Sequence, residues 1–126
     1  MIVGIGVDLV DVARVKRLVA SKGERALRRL FTEGERAYAE RKVQPFVHLA
    51  ARVAAKEAAF KALAGSDGAR AIAWREMEVC AAEDGRPSLI LHGAAARRAA
   101  ELGVAAIWLS LSHSELTAGA FVVLER

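Results

Sequence analysis

The chain has 126 residues, 54% of them apolar, with 19 Lys and Arg against 15 Asp and Glu and a single cysteine. That length fits one domain with a modest core, and the lone Cys80 excludes an internal disulfide or a cysteine-clustered zinc site. No uninterrupted apolar run approaches the ~20 residues of a membrane span, and Asp8 and Asp11 interrupt the first run too early for a secretory signal, so a cytoplasmic location is expected.

Residues 2–7, Ile-Val-Gly-Ile-Gly-Val, form a short β-branched run that predicts a buried strand ended by Asp8. Asp11 is placed to cap a helix from Val12, with Val12, Val15, Leu18 and Val19 on one face, until Ser21-Lys22-Gly23 stops it. A short helix over 24–30 follows. Thr32 and Glu35 have capping-box spacing, which predicts a helix from Glu33 to Arg41. Pro45 breaks the chain, and the Ala-rich stretch from His48 to Ala64 predicts the longest helix, stopped by Gly65. Ser66-Asp67-Gly68 reads as a loop. Glu76 to Ala82 and Arg86 to His92 flank the turn Glu83-Asp84-Gly85 and predict a β-hairpin. Residues 93–102 read as a helix ending at Gly103, and Ala106–Ser112 and Thr117–Glu125 as two further strands joined through His113-Ser114-Glu115. The expected class is α+β: a mostly antiparallel sheet with several helices, one of them long, in a single domain over 1–126.

Charge is uneven along the chain. Residues 1–30 carry seven basic side chains and three acidic ones. Such a segment attracts anions, whether nucleic acid, acidic protein, phosphorylated ligand or anionic lipid, or is simply a solvated helix face. On the long helix Glu57 and Lys61 are four residues apart and share a face with Val53, Phe60 and Ala64. They are either an exposed ion pair or a functional pair on an apolar face. Asp8, at the expected strand end, is either a helix cap or a carboxylate aimed at a site. Ser110, Ser112, His113 and Ser114 cluster at another strand end, without the Gly-x-Ser-x-Gly pattern of a hydrolase nucleophile. Gly4 and Gly6 do not match either nucleotide-loop motif.

Five ordered blocks nevertheless resemble one family. They are Gly4-Ile5-Gly6-Val7-Asp8-Leu9 with Arg14; Phe31-Thr32 with Glu35; Arg52-Val53-Ala54-Ala55-Lys56-Glu57-Ala58 followed by Lys61-Ala62-Leu63; Trp74, Met77-Glu78-Val79 and Gly85-Arg86-Pro87; and Leu109-Ser110-Leu111-Ser112-His113 with Ala118, Ala120, Phe121 and Val122. Together they are similar to the holo-acyl-carrier-protein synthases, small bacterial 4′-phosphopantetheinyl transferases. Val53 departs from the aromatic residue more common in that family, and Ala64-Gly65-Ser66-Asp67-Gly68 stands near its usual Gly-Thr-Gly.

The resemblance implies the phosphopantetheinyl transferase fold and a transfer reaction. The serine of an apo acyl carrier protein attacks the phosphorus of coenzyme A that bears pantetheine, and adenosine 3′,5′-bisphosphate leaves. It implies Mg2+ held by Asp8 and Glu57, which suits an ion that takes one or two carboxylates plus phosphates, with Lys61 as a point charge on the phosphates. Either a water on the metal or Glu57 takes the serine proton. By the same resemblance Arg52, Lys56, Lys61, Gly65, Pro87, Ser112 and His113 line the coenzyme A pocket. The basic helix with Arg14 and Arg17, together with Lys22, Arg25 and Arg28, docks an acidic carrier. The family is typically homotrimeric, with active sites at subunit boundaries, and serves fatty acid biosynthesis. The competing expectation is a basic α+β module that binds nucleic acid. It rests on a pI near 9.7, but its 6% aromatic content offers few stacking platforms.

Overall fold

The first apolar run continues past Asp8. Strand β1 spans Ile2–Asp11 in the computed structural model, which describes residues 1–126. Asp8 therefore lies within a strand. Alternation puts Gly4, Gly6, Asp8 and Val10 on the inner face and Ile5, Val7 and Leu9 on the outer one. Helix α1 begins at Val12 and runs to Lys22; Asp11 occupies its cap position, but its side chain makes no capping bond. Helix α2, Glu24–Leu30, follows Gly23. Helix α3, Glu33–Glu40, has the expected capping box: the Glu35 amide donates to Thr32 Oγ1, and the Thr32 amide donates to the Glu35 carboxylate.

Pro45 starts the long helix rather than standing apart from it. Helix α4 spans Pro45–Leu63 with the proline in its first turn, where a missing amide hydrogen costs nothing. Thirteen of its 19 residues are buried, so it is the central element of the fold and not an amphipathic surface helix. The expected loop after Gly65 contains one short turn of helix, α5, Asp67–Arg70, capped by the Ser66 side chain. A 3-10 turn over Trp74–Glu76 leads into the hairpin of β2, Met77–Ala81, and β3, Pro87–Leu91. Helix α6 covers Gly93–Leu102; Glu76 caps it from a distance by accepting the Ala94 amide at 2.7 Å. Strands β4, Ala106–His113, and β5, Thr117–Glu125, complete the chain.

All strand pairs are antiparallel, but they form two sheets where one was expected: three strands in the order β1-β5-β4, and the separate β2-β3 hairpin. Helix α4 lies across the inner face of β1 and β5, in one continuous core of 28 residues. The approach is unusually close. A Cβ on Gly6 would fall 1.9 Å from the Ala58 carbonyl oxygen, and one on Gly4 2.2 Å from that of Ala62. Ala50, Ala54, Ala58 and Ala62 form the matching small-residue stripe on the helix. Glycines under alanines thus set the short distance between strand and helix. No helix of the chain is long and apolar enough to cross a membrane.

Candidate active site

The close packing of α4 on β1 brings the carboxyls of Asp8 and Glu57 together, although they are 49 positions apart in sequence. Asp8 points inward from the strand toward the helix. Lys61 reaches across from α4 and donates to Asp8 Oδ1 at 2.9 Å and to the Val7 carbonyl at 3.1 Å. Arg14 reaches over from α1 and donates to Glu57 Oε1 at 2.9 Å. Two of the sequence alternatives are corrected: Asp8 caps no helix, and Glu57 and Lys61 form no ion pair with each other but pair with Arg14 and Asp8.

Burial opposes ionisation of Asp8, but hydrogen bonds from Glu57 and Lys61 and the Lys61 charge outweigh it, so its pKa lies below the ordinary aspartate value. Burial raises the pKa of Glu57, as does its hydrogen bond to Asp8, against the pull of Arg14. The Asp8 Oδ2 atom is buried and has no hydrogen-bond partner. A buried carboxylate oxygen without a donor, beside a second carboxyl, fits a hard divalent cation. Two carboxylates are too few for a full protein cage, and no third acidic, His or Cys ligand joins them. That donor set suits magnesium, which keeps waters and binds with phosphates.

A groove of about 360 Å3 opens beside this pair, lined by Glu57, Phe60, Lys61, Arg70, Ile72, Trp74 and Met77. Across Trp74 it adjoins a cleft of about 670 Å3 between α1 and α2, with Leu18, Ala26, Leu30 and Trp74 inside and Lys22, Arg25 and Arg29 around it. Arg17 is exposed on α1. Gly65 lies with Phe60, Ser66, Asp67 and Arg70 around a neighbouring hollow.

Arg52, Pro87 and His113 meet in a different place. Together with Tyr38, His48, Arg86, Ser110 and their neighbours they wall a cavity of about 430 Å3. The Arg52 guanidinium is stacked on the Tyr38 ring at 4.2 Å, is almost wholly buried, and leaves its Nε without an acceptor. The His48 and His113 rings lie 5.6 Å apart. Burial lowers the pKa of His48, and Arg52, His113 and Lys42 push it further down. The desolvated Arg52 guanidinium, paired with no carboxylate and with its Nε unsatisfied, suits a phosphorylated ligand. Arg52 precedes Glu57 by five residues and His48 precedes it by nine, about 140° and 180° around the helix. The cavity and the carboxylate groove share no wall residue.

Two residues expected in the coenzyme A pocket lie elsewhere. Lys56 has no exposed surface: its ammonium bonds Glu35 at 2.9 Å, the Trp74 carbonyl at 2.9 Å and the Met77 carbonyl at 2.7 Å. It staples α4 to α3 and to the start of β2, and no ligand can reach it in this chain. Ser112 faces outward with Gly119 and Leu9, its neighbours across the sheet, and is not in the cavity wall. Sequence reading missed His48 and Tyr38 as neighbours of Arg52. The one available signal was the four-residue spacing of His48 and Arg52 on the same helix face.

The chain matches the model of the 4′-phosphopantetheinyl transferase superfamily over residues 4–119. It belongs to that superfamily. It is 46% identical over 126 residues to the holo-[acyl-carrier-protein] synthase of Solibacter usitatus, covering 100% of both chains. Its fold superposes on the holo-[acyl-carrier-protein] synthase of Neisseria meningitidis with a TM-score of 0.87, 32% identity and 100% of each chain covered. The holo-(acyl-carrier-protein) synthase of Bacillus anthracis in complex with CoA (3′,5′-ADP) is 32% identical, with a TM-score of 0.76 over 98% of this chain and 96% of that one. The superfamily match displaces nucleic-acid binding as the reading of the basic N-terminal third.

Proposed function

We propose that this phosphopantetheinyl transferase loads an acyl carrier protein from coenzyme A through the Asp8–Glu57 pair, in the service of fatty acid biosynthesis. The observation that carries the site assignment is the buried, partnerless Asp8 Oδ2 beside Glu57, at the edge of the groove. The acceptor serine oxygen forms a bond to the phosphorus bearing pantetheine. The anhydride bond to adenosine 3′,5′-bisphosphate breaks, and the serine proton is released.

Asp8 and Glu57 would hold Mg2+, which supplies charge neutralisation to the pyrophosphate when bound. Lys61 contributes a second positive charge beside it. Phe60, Ile72, Trp74 and Met77 give the apolar part of pantetheine a wall. The α1–α2 cleft, apolar within and cationic at its rim, fits an acidic amphipathic carrier, with Arg14 and Arg17 on the same helix. The cavity of Arg52, His48, His113 and Pro87 fits the nucleotide end.

That cavity stands on the far side of α4 from Glu57, so one coenzyme A would bridge both only if a second copy supplied one of them. The outer sheet face supports such an assembly. Ile5, Val7, Leu9, Trp108 and Phe121 are exposed on it, Leu9 by 72% and Trp108 by 60%. An apolar patch of this kind marks an interface. A homotrimer with its sites between subunits accounts for both features.

The test is a mass measurement on an apo acyl carrier protein after incubation with the protein, coenzyme A and Mg2+. The carrier gains one phosphopantetheine. Asp8→Ala and Glu57→Ala abolish the gain while circular dichroism stays that of the parent. Wild-type rates for both variants at limiting Mg2+ would remove the metal assignment.

A further inference from the structure

Each carboxylate of the site is already matched by a cationic side chain, and the two cations come from different places. Lys61 belongs to α4 and is held a second time by the Val7 carbonyl. Arg14 belongs to α1 and reaches Glu57 through a single nitrogen–oxygen contact, with its side chain 53% exposed. Such a half-exposed, single-contact pair is weak and easily exchanged. Arg14 also lies one helical turn before Leu18, on the same face, and Leu18, Ser21 and Lys22 wall the α1–α2 cleft. The guanidinium therefore stands between the catalytic pair and the surface suited to an acidic carrier.

We propose that Arg14 couples metal loading to carrier docking: it neutralises Glu57 in the free protein and is handed to the incoming carrier when a divalent cation takes over the Glu57 carboxylate. The inference rests on the carrier-loading reading given above. The chemistry is competition of two cations for one anion. A divalent ion on Glu57 removes the charge that holds Arg14 and leaves its guanidinium donors free for a carrier carboxylate. Linkage requires the converse: a docked carrier that draws Arg14 away strengthens metal binding by the same factor.

The test uses an apo acyl carrier protein whose acceptor serine is replaced by alanine, so that it docks without being loaded. Its affinity is measured calorimetrically with coenzyme A present, in Mg2+ and in EDTA. Mg2+ is expected to tighten binding to the wild type by on the order of fivefold or more. Arg14→Gln binds the carrier weakly and equally in both buffers. Arg17→Gln binds weakly in both but keeps the wild-type ratio, which separates coupling from general loss of positive charge. With coenzyme A and no carrier, Mn2+ followed by paramagnetic resonance binds Arg14→Gln more tightly than the wild type, because no arginine competes for Glu57. An unchanged wild-type affinity between Mg2+ and EDTA overturns the proposal. So does a wild-type ratio retained in Arg14→Gln, or Mn2+ affinity that does not move. If the carrier neither docks on the wild type nor gains mass from coenzyme A, the functional reading itself is overturned instead.

Discussion

Lys56 and Glu57 are consecutive in sequence and have opposite fates. Glu57 faces a groove, while Lys56 is buried without any exposed surface and bonded to Glu35 and two carbonyls. Glu35 in turn accepts from the Thr32 and Val79 amides, so the buried pair joins α3, α4 and β2. Burial lowers the Lys56 pKa, and the charge of Glu35 works against that shift. Breaking such a pair by removing one partner strands the other charge. Lys56→Met is therefore expected to cost about 3–5 kcal/mol of stability, measured by urea unfolding. A loss below about 1 kcal/mol, the range of an exposed pair, would show that the ammonium is solvated. Residue types alone could not separate these neighbours. A Lys-Glu dipeptide on an apolar helix reads as surface charge until the helix is known to be enclosed, and that enclosure comes from β2 and α3, distant in sequence.

At the scale of elements, helices were legible and their contacts were not. The boundaries of α1, α2, α3 and α6 follow from Gly23, Gly103 and the Thr32–Glu35 box because these signals are local. The sequence predicts an end to β1 at Asp8 because a carboxylate inside a strand is unfavourable unless something receives it, and what receives it is Lys61 of α4. Likewise Gly4 and Gly6 look like weak strand residues until Ala58 and Ala62 are seen against them. Their role gives a prediction. Gly6→Ala places a methyl group against the Ala58 carbonyl, so α4 must move off β1. Overpacking of this kind costs about 1–3 kcal/mol. The melting temperature should fall, and Mn2+ affinity should fall with it, since Asp8 and Glu57 separate. If stability drops while metal affinity is unchanged, the spacing of β1 and α4 does not set the site.

For the whole molecule, the proposed homotrimer rests on the outer sheet face. Cross-strand register puts Ile5, Val123 and Trp108 in one row and Val7, Phe121 and Ser110 in the next, so the exposed apolar side chains lie side by side. In the proposed homotrimer, Leu9→Glu combined with Trp108→Glu should leave the fold intact by circular dichroism and give monomers in sedimentation velocity. Transfer activity should fall with it, because under that proposal the Arg52 cavity and the carboxylate groove are then no longer supplied to each other. A wild-type chain that sediments as a monomer at micromolar concentration would remove the shared-site reading. This face was not legible in the sequence, since alternation of apolar residues on both sides of a strand cannot say which side meets its own kind.

The pairing of β1 with β5 alone has a consequence for how the protein is made. Strand β1 finds its only neighbouring strand in β5, with every other element of the structure lying between them in sequence. While the ribosome works through the intervening helices, β1 has no sheet to join, and Asp8 has no fixed position against Glu57. Loop closure over nearly the whole chain makes this pairing slow relative to helix formation. A nascent chain stalled before Thr117 would thus carry both Asp8 and Glu57 and still lack the strand that β1 pairs with, so the proposed metal pair is assembled only once β5 is made.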